Sequence, residues 1–324
     1  MTTIEHEVTA RDLALSKPLG EDLRLDRNHQ AMNMDDTRML LYVAGYARSG
    51  STFLDSVLGT HPGVFSAGEL THLYDDACAG EPCGCGVSLT TCELWGPVLR
   101  DVGADLRTGR DLTRRVEHGW AGLRQGRVAL GEYEHLWREV LDAVRTRSGS
   151  NVIVDASKTM LFAARRPARL HAMTGGQMRV LHLTRDPRAS AWSVRKGGNQ
   201  IAASRRLKAL APWRTAGTWM AANLVAEHAL DRYAGIRLRY EDLVTRPRDQ
   251  LDRVGSLTGL DFADVAERLV SGQELPRGHG LSGNRMRRGS LVTLRPDHEW
   301  RSSAPRSVLL AATLTSPLAR RYGY

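Results

Sequence analysis

Residues 43–52 read VAGYARSGST. An apolar run enters Gly45, Gly50 follows five positions later, and Ser51 and Thr52 come next. The spacing is that of the phosphate-cradling pattern G-x-x-x-x-G-K-[ST], in which a strand runs into a loop whose backbone N–H groups surround an anion. Ser51 stands where the lysine belongs. That lysine serves the β- and γ-phosphates of a nucleoside triphosphate, and the hydroxyl after it holds Mg²⁺. A ligand with a single 5′-phosphate needs neither, yet it still needs amides, a helix N-terminus and hydroxyl donors. Arg48, Ser49, Gly50, Ser51 and Thr52 supply them. Taken by itself, the stretch equally suits a structural strand-to-helix turn.

Working outward, apolar strand-like runs alternate with helical patterns. RMLLYVAGY reads as a first strand and STFLDSVLGTH as a helix stopped by His61-Pro62-Gly63. GVFSAGEL reads as a second strand and turn, and NVIVD (151–155) and MRVLHLT (178–184) as buried strands with a helix between them. Residues 93–148 carry helical segments interrupted by glycines at 96, 103, 109, 119 and 131. GIRLRYEDL (235–243) reads as a further strand, reached through an alanine-rich helix over about 204–233. Such alternation implies an α/β fold, a central parallel sheet flanked by helices on both faces. No internal repeat or linker divides residues 38–324, which form one expected domain. Residues 1–37 are polar and aperiodic, an expected unstructured tail.

The 324 residues are 42% hydrophobic and 25% charged, the composition of an ordinary globular protein. The longest apolar runs are too short to span a bilayer, and the N-terminus lacks a basic start and an apolar stretch. The expectation is a cytoplasmic protein. A net charge of +9 suits an anionic ligand. Only four lysines, at 17, 158, 196 and 208, stand against 41 arginines, so a single arginine carries little information and a lysine more.

A second motif, VLHLTRDPRASAWSVRKGG, runs a buried strand into Arg185, with Asp186 as helix cap and Pro187 at the first helical position. Ser193 lies about two turns beyond Asp186, on nearly the same helix face. Together the two motifs offer two anion sites at neighbouring strand ends. The combination of a G-x-x-R-S-G-[ST]-T loop, an R-D-P-R-A-x-x-x-S helix start and a Y-E-D-L segment resembles the family of sulfotransferases that use 3′-phosphoadenosine 5′-phosphosulfate (PAPS). The resemblance runs from about residue 38 to the C-terminus. Two phosphate groups on that donor and no triphosphate tail account for two anion sites without the lysine.

The resemblance implies that Arg48, Ser49, Gly50, Ser51 and Thr52 hold the 5′-phosphosulfate and that Arg185 and Ser193 hold the 3′-phosphate. Tyr240 matches a position near the adenine, and it suits a half-buried strand aromatic as well. Transfer needs a base for the acceptor hydroxyl and positive charge for the departing phosphate oxygen. Glu69 matches the second glutamate of the pattern R-S-G-T-T…H-P…G-E-E-T of the tyrosylprotein branch, with Gly68 in place of the first. His72 is the alternative base. Lys158, in VIVDASKTM, matches a D-x-S-K segment that brings a lysine to the transferring group, with Asp155 as a cap or lysine partner. Catalytic roles are therefore expected for Glu69, Lys158 and Arg48. The segment GHGLSGNRMRR resembles H-x-x-S-G-N-P-x-R, with Arg285 for the proline, which makes Asn284, Arg287 and Arg288 candidates for the 3′-phosphate.

Cys78, Cys83, Cys85 and Cys92 fall within 15 residues, but their spacing differs from the usual C-x2-C pairs of zinc sites. Similar stretches in bacterial sulfotransferases read as structural insertions. The expectation is a structural, metal-free cluster, with zinc as the alternative. The implied reaction is sulfuryl transfer from PAPS to a hydroxyl of a small molecule or natural product, without metal, nucleic acid or membrane. Two other readings remain: a small-molecule kinase with a degenerate loop, and a non-catalytic nucleotide or RNA binder. Trp95, Trp120, Tyr133 and Trp137 suit either an acceptor pocket or the core.

Overall fold

The computed structural model describes residues 38–117, 127–158, 164–197, 199–202, 205–207, 211–276, 278–282 and 298–324; the tail expected over 1–37 lies outside them. In chain order the elements are β1 (Met39–Ala44), α1 (Ser51–Leu58), β2 (Val64–Gly68), α2 (Leu73–Ala79), α3 (Trp95–Val102), α4 (Leu106–Glu117) and α5 (Arg127–Ser148). Then come β3 (Val152–Asp155), α6 (Arg166–Met173), β4 (Met178–Thr184), α7 (Pro187–Gly197), β5 (Asn199–Ala202), β6 (Arg205–Leu207) and α8 (Pro212–Arg232). The chain closes with β7 (Gly235–Arg239), α9 (Tyr240–Thr245), α10 (Pro247–Thr258), α11 (Ala263–Val270), α12 (Glu299–Ser303), α13 (Arg306–Thr313) and α14 (Ser316–Arg321).

Every residue of β1 is buried, because both faces of its sheet are covered. Leu40, Tyr42 and Ala44 join the core that contains residues of α2, α3 and α5. Met39, Leu41 and Val43 alternate with them and join the core that contains residues of α1, α10 and α11. The sheet has the order β2-β3-β1-β4-β7, with every ladder parallel. All five strands therefore end on the same edge, where ligands of open α/β sheets bind. No helix among the described residues is long and apolar enough to cross a membrane.

The structure departs from the sequence reading in several places. The last strand stops at Arg239, and Tyr240 opens a helix instead of continuing the strand. A short β5–β6 hairpin precedes α8, which begins only at Pro212. Glycines 96, 109 and 131 lie inside helices, and Gly103 is the one of the described interruptions that ends a helix. Gly109 is there because a Cβ would come within 2.5 Å of the Tyr74 ring. Close packing, not a break, explains that glycine.

Candidate anion-binding and transfer site

Between β1 and α1 the chain makes three left-handed or related turns, at Gly45 (φ 134°), Arg48 (φ 68°) and Gly50 (φ 91°). A Cβ on Gly45 would lie 2.4 Å from the Leu183 carbonyl oxygen, and one on Gly50 would lie 2.3 Å from the Tyr240 ring. Both glycines are required by close approach as well as by φ. The first helical bond of α1 runs from the Leu54 amide to the Gly50 carbonyl, at 3.0 Å. The amides of Ser51, Thr52 and Phe53 precede that ladder and form the positive end of the helix dipole. Ser49 is only 1% exposed, and its hydroxyl has no hydrogen-bond partner among the described residues. Such a buried hydroxyl costs about 1–3 kcal/mol, which an anionic oxygen would offset.

The second motif folds as its sequence suggests. Asp186 accepts from the Arg188 amide at 2.8 Å and caps α7, and its own amide donates to Glu241 Oε1 at 3.0 Å. This turn delivers Arg185 to the loop after β1. Arg185 Nη1 donates to the Arg48 carbonyl at 2.8 Å, and its guanidinium lies 4.6 Å from the centroid of the Tyr240 ring. Arg48 Nε donates to Ser193 Oγ at 3.1 Å. Burial, and then the charge of Arg185, lower the pKa of Arg48. Arg48, Gly50, Arg185, Ser193 and Tyr240 are thus assembled from three separate segments of the chain, with both guanidinium groups at the loop after β1.

A second group forms at the ends of β2 and β3. Gly68 (φ 75°) turns the chain out of β2, and the Glu69 amide donates to the Leu281 carbonyl at 3.0 Å. Glu69 Oε1 is paired with the Lys158 ammonium, and His72 Nε2 lies 3.5 Å from Glu69 Oε2. Lys158 has a left-handed backbone (φ 65°), and its carbonyl accepts from the Tyr42 hydroxyl at 2.6 Å, which ties it to β1. The pair is partly buried, at 13% and 14% exposed. It combines a carboxylate that can accept a proton with an ammonium that can stabilise a departing oxygen.

Beneath this pair runs a closed polar ring. Ser157 donates to Asp155 through its amide (2.9 Å) and its hydroxyl, and Ser157 Oγ accepts from the Thr71 amide at 3.1 Å. The Thr71 hydroxyl donates to Glu117 Oε2, while Arg166 and Tyr133 donate to Glu117 Oε1. Arg166 Nη2 returns to Asp155 Oδ2 at 2.7 Å. The ring anchors the turn that follows Glu69 to the segment that carries Lys158. Asp155 is therefore the partner of Arg166, not of Lys158. Sequence reasoning missed Thr71, Glu117 and Arg166, because no local spacing links them.

Trp95, Tyr133 and Trp137 are core residues, at most 1% exposed, and so do not line an open pocket. Trp120, Asn284, Arg287 and Arg288 lie outside the described residues. Three of the clustered cysteines meet at one point with His279, while Cys78 is exposed and apart.

A family model described as "Sulfotransferase family" matches residues 93–264, just over half of the chain. No curated protein matches. Among solved structures, a sulfotransferase domain from the curacin biosynthetic pathway is similar, with 17% identity and a TM-score of 0.50, over 86% of this chain and 97% of that one. A sulfotransferase domain from the Synechococcus PCC 7002 olefin synthase has 19% identity and a TM-score of 0.45, over 86% and 94% of the two chains. A sulfotransferase from Alicyclobacillus acidocaldarius has 13% identity and a TM-score of 0.42, over 87% and 96%. The family match takes in Lys158, Arg185, Ser193 and Tyr240, and the curacin-pathway domain shares the fold that carries them. The chain belongs to the sulfotransferase family.

Proposed function

We propose that the protein transfers a sulfuryl group from PAPS to a hydroxyl of a small-molecule acceptor. The observation that carries this reading is the assembly of Arg48, Arg185, Ser193 and Tyr240 around a phosphate loop that has Ser51 in place of lysine. In it, the loop amides and the hydroxyls of Ser49, Ser51 and Thr52 take the 5′-phosphosulfate. Arg185 and Ser193 take the 3′-phosphate, and Tyr240 lies against the adenosine. Asn284 and Arg287 are proposed to complete the 3′-phosphate site.

Glu69 accepts the proton of the acceptor hydroxyl as the new sulfur–oxygen bond forms. The bond from sulfur to the 5′-phosphate oxygen breaks, and Lys158 and Arg48 stabilise the charge left on that oxygen. The product is 3′-phosphoadenosine 5′-phosphate (PAP). The direct contact of the Glu69 carboxylate with the Lys158 ammonium supports assigning both to one reacting centre. An origin in a biosynthetic pathway for the curacin-pathway relative is in keeping with a small-molecule acceptor.

The test is ligand stabilisation followed by turnover. PAP should raise the melting temperature without added Mg²⁺, and ATP, which lacks the 3′-phosphate, should raise it much less. Labelled sulfate should then pass from PAPS to some member of a panel of hydroxylated metabolites. Equal stabilisation by ATP, or a strict need for Mg²⁺, would favour a kinase instead.

A further inference from the structure

We propose that Cys83, Cys85, Cys92 and His279 bind one structural zinc ion. The three sulfurs and one imidazole nitrogen all lie within 4.8 Å of one another. Cys83 Sγ and Cys92 Sγ are 3.6 Å apart, and Cys85 Sγ and Cys92 Sγ are 3.8 Å apart. His279 Nδ1 is 3.3 Å from Cys92 Sγ and 3.7 Å from Cys83 Sγ. A tetrahedral ion with Zn–S near 2.3 Å and Zn–N near 2.0 Å has edges of about 3.8 Å between sulfurs and about 3.5 Å from sulfur to nitrogen. The four separations match those edges. They are far too long for disulfides, which need about 2.05 Å, and all four cysteines of the chain are free.

The backbone around the cluster has the form of a ligand-bearing turn. The Cys83 amide donates to the Val87 carbonyl at 2.7 Å, the Gly86 amide to the Cys83 carbonyl at 2.9 Å, and the Cys92 amide to the Ser88 carbonyl at 2.8 Å. Gly86 is left-handed (φ 98°), and a Cβ on Gly84 would come within 2.5 Å of the Gly278 carbonyl, so the turn fits closely against the segment that brings His279. The histidine is also oriented from outside. Its Nε2 lies 3.4 Å from Glu93 Oε1, and its carbonyl accepts from Trp95 Nε1 at 2.5 Å. With Nε2 facing a carboxylate, Nδ1 is the nitrogen turned to the sulfurs, the arrangement in which an outer carboxylate fixes a metal-bound imidazole.

Three thiolates and an imidazole select a borderline-soft ion, and four protein ligands leave no open position for a substrate. Binding releases the thiol protons to solvent, and no redox step is involved. The ion would join the turn between α2 and α3 to residues 278–282, whose Leu281 donates to the Ala67 carbonyl at 2.8 Å and accepts from the Glu69 amide at 3.0 Å. Its mechanical effect is to hold the strand end that presents Glu69. This inference does not depend on the identity of the donor or of the acceptor.

The full chain, purified under reducing conditions without chelator, should contain about one zinc per chain by elemental analysis. Refolded with cobalt(II) in place of zinc, it should show the visible bands of tetrahedral cobalt and sulfur-to-cobalt charge transfer. His279→Asn and Cys92→Ser should each reduce zinc content well below one per chain, and Cys78→Ser should leave it unchanged. A strong chelator should lower the melting temperature of the parent protein. Zinc well below one per chain together with no tetrahedral cobalt spectrum would overturn the proposal, as would a Cys85–Cys92 disulfide in the freshly purified protein or iron at the same ligands. The parent protein alone decides the question if a ligand variant fails to fold.

Discussion

The ammonium of Lys158 and the carboxylate of Glu69 are paired across 89 positions of sequence, at the ends of two adjacent strands. Each is the other's nearest countercharge, so a substitution at either one is felt by both. Glu69→Gln keeps the shape but cannot accept a proton. It should lower kcat by about 10²–10⁴-fold without weakening PAP binding, because the change removes a negative charge and leaves the Lys158 ammonium in place. Near-normal turnover in this variant on an identified acceptor would move the role of base to His72, which lies 3.5 Å from Glu69.

Arg185 stands on Tyr240 and donates to the Arg48 carbonyl. Arg185→Ala should weaken PAP binding about 10–100-fold, the loss of a hydrogen bond to a charged group. It should also remove most of the preference for PAP over ATP. Isothermal titration with both nucleotides reads the ratio. An unchanged ratio would place the 3′-phosphate elsewhere.

Arg166 faces Glu117 and Asp155 with 2% of its side chain exposed. Arg166→Met should destabilise the protein by about 3–5 kcal/mol in urea titrations, because two buried carboxylates lose their common cation. Arg248→Ala removes three hydrogen bonds to Glu267, but from an exposed pair, and should cost no more than about 1 kcal/mol. A comparable cost at the two sites would contradict the importance assigned to the ring.

His182 is fully buried in β4. Arg237 Nε donates to its Nδ1 at 3.3 Å, so the ring proton sits on Nε2 and is donated to Asn223 Oδ1 at 3.0 Å. Burial lowers its pKa to about 3, and the charge of Arg237 adds to the effect. The unfolded chain therefore takes up a proton near pH 6.5 that the folded chain refuses until about pH 3. Stability from this group is complete above about pH 6.5 and is lost as the pH falls through that window, by at most about 1.4 kcal/mol per pH unit. His182→Gln should flatten the fall between pH 7 and pH 5 relative to the parent. Parallel curves for the two proteins would show that another group is responsible.

The two candidate anion-binding motifs were legible because each is local: a buried strand, a tight turn and a helix start within about a dozen residues. The strands read as apolar runs because parallel strands covered on both faces have no polar side to alternate with. Tyr240 was legible as a residue but not as a helix start, since YEDL follows the strand without a turn signal. The role of Asp155 was hidden because its partner, Arg166, belongs to the next helix and meets Glu117 from a third. His279 carries no sequence signal as a companion of Cys83, Cys85 and Cys92. It reaches them through long-range contacts, among them the pairing of Leu281 with the end of β2 and the bond from the Gly84 amide to the Gly280 carbonyl.

The position of β1 at the middle of the sheet has a consequence for synthesis. Its two neighbours, β3 and β4, begin at Val152 and Met178. At about 5–20 residues per second, the ribosome releases β1 on the order of ten seconds before β4 is complete. Until β3 is made, a strand that is apolar on both faces has neither hydrogen-bonding edge filled, and until β4 and α7 follow, the loop after it has no Arg185 or Ser193 to meet. The nascent chain thus passes through a stage in which an apolar, unpaired strand awaits its partners, the kind of exposed edge that chaperones shield.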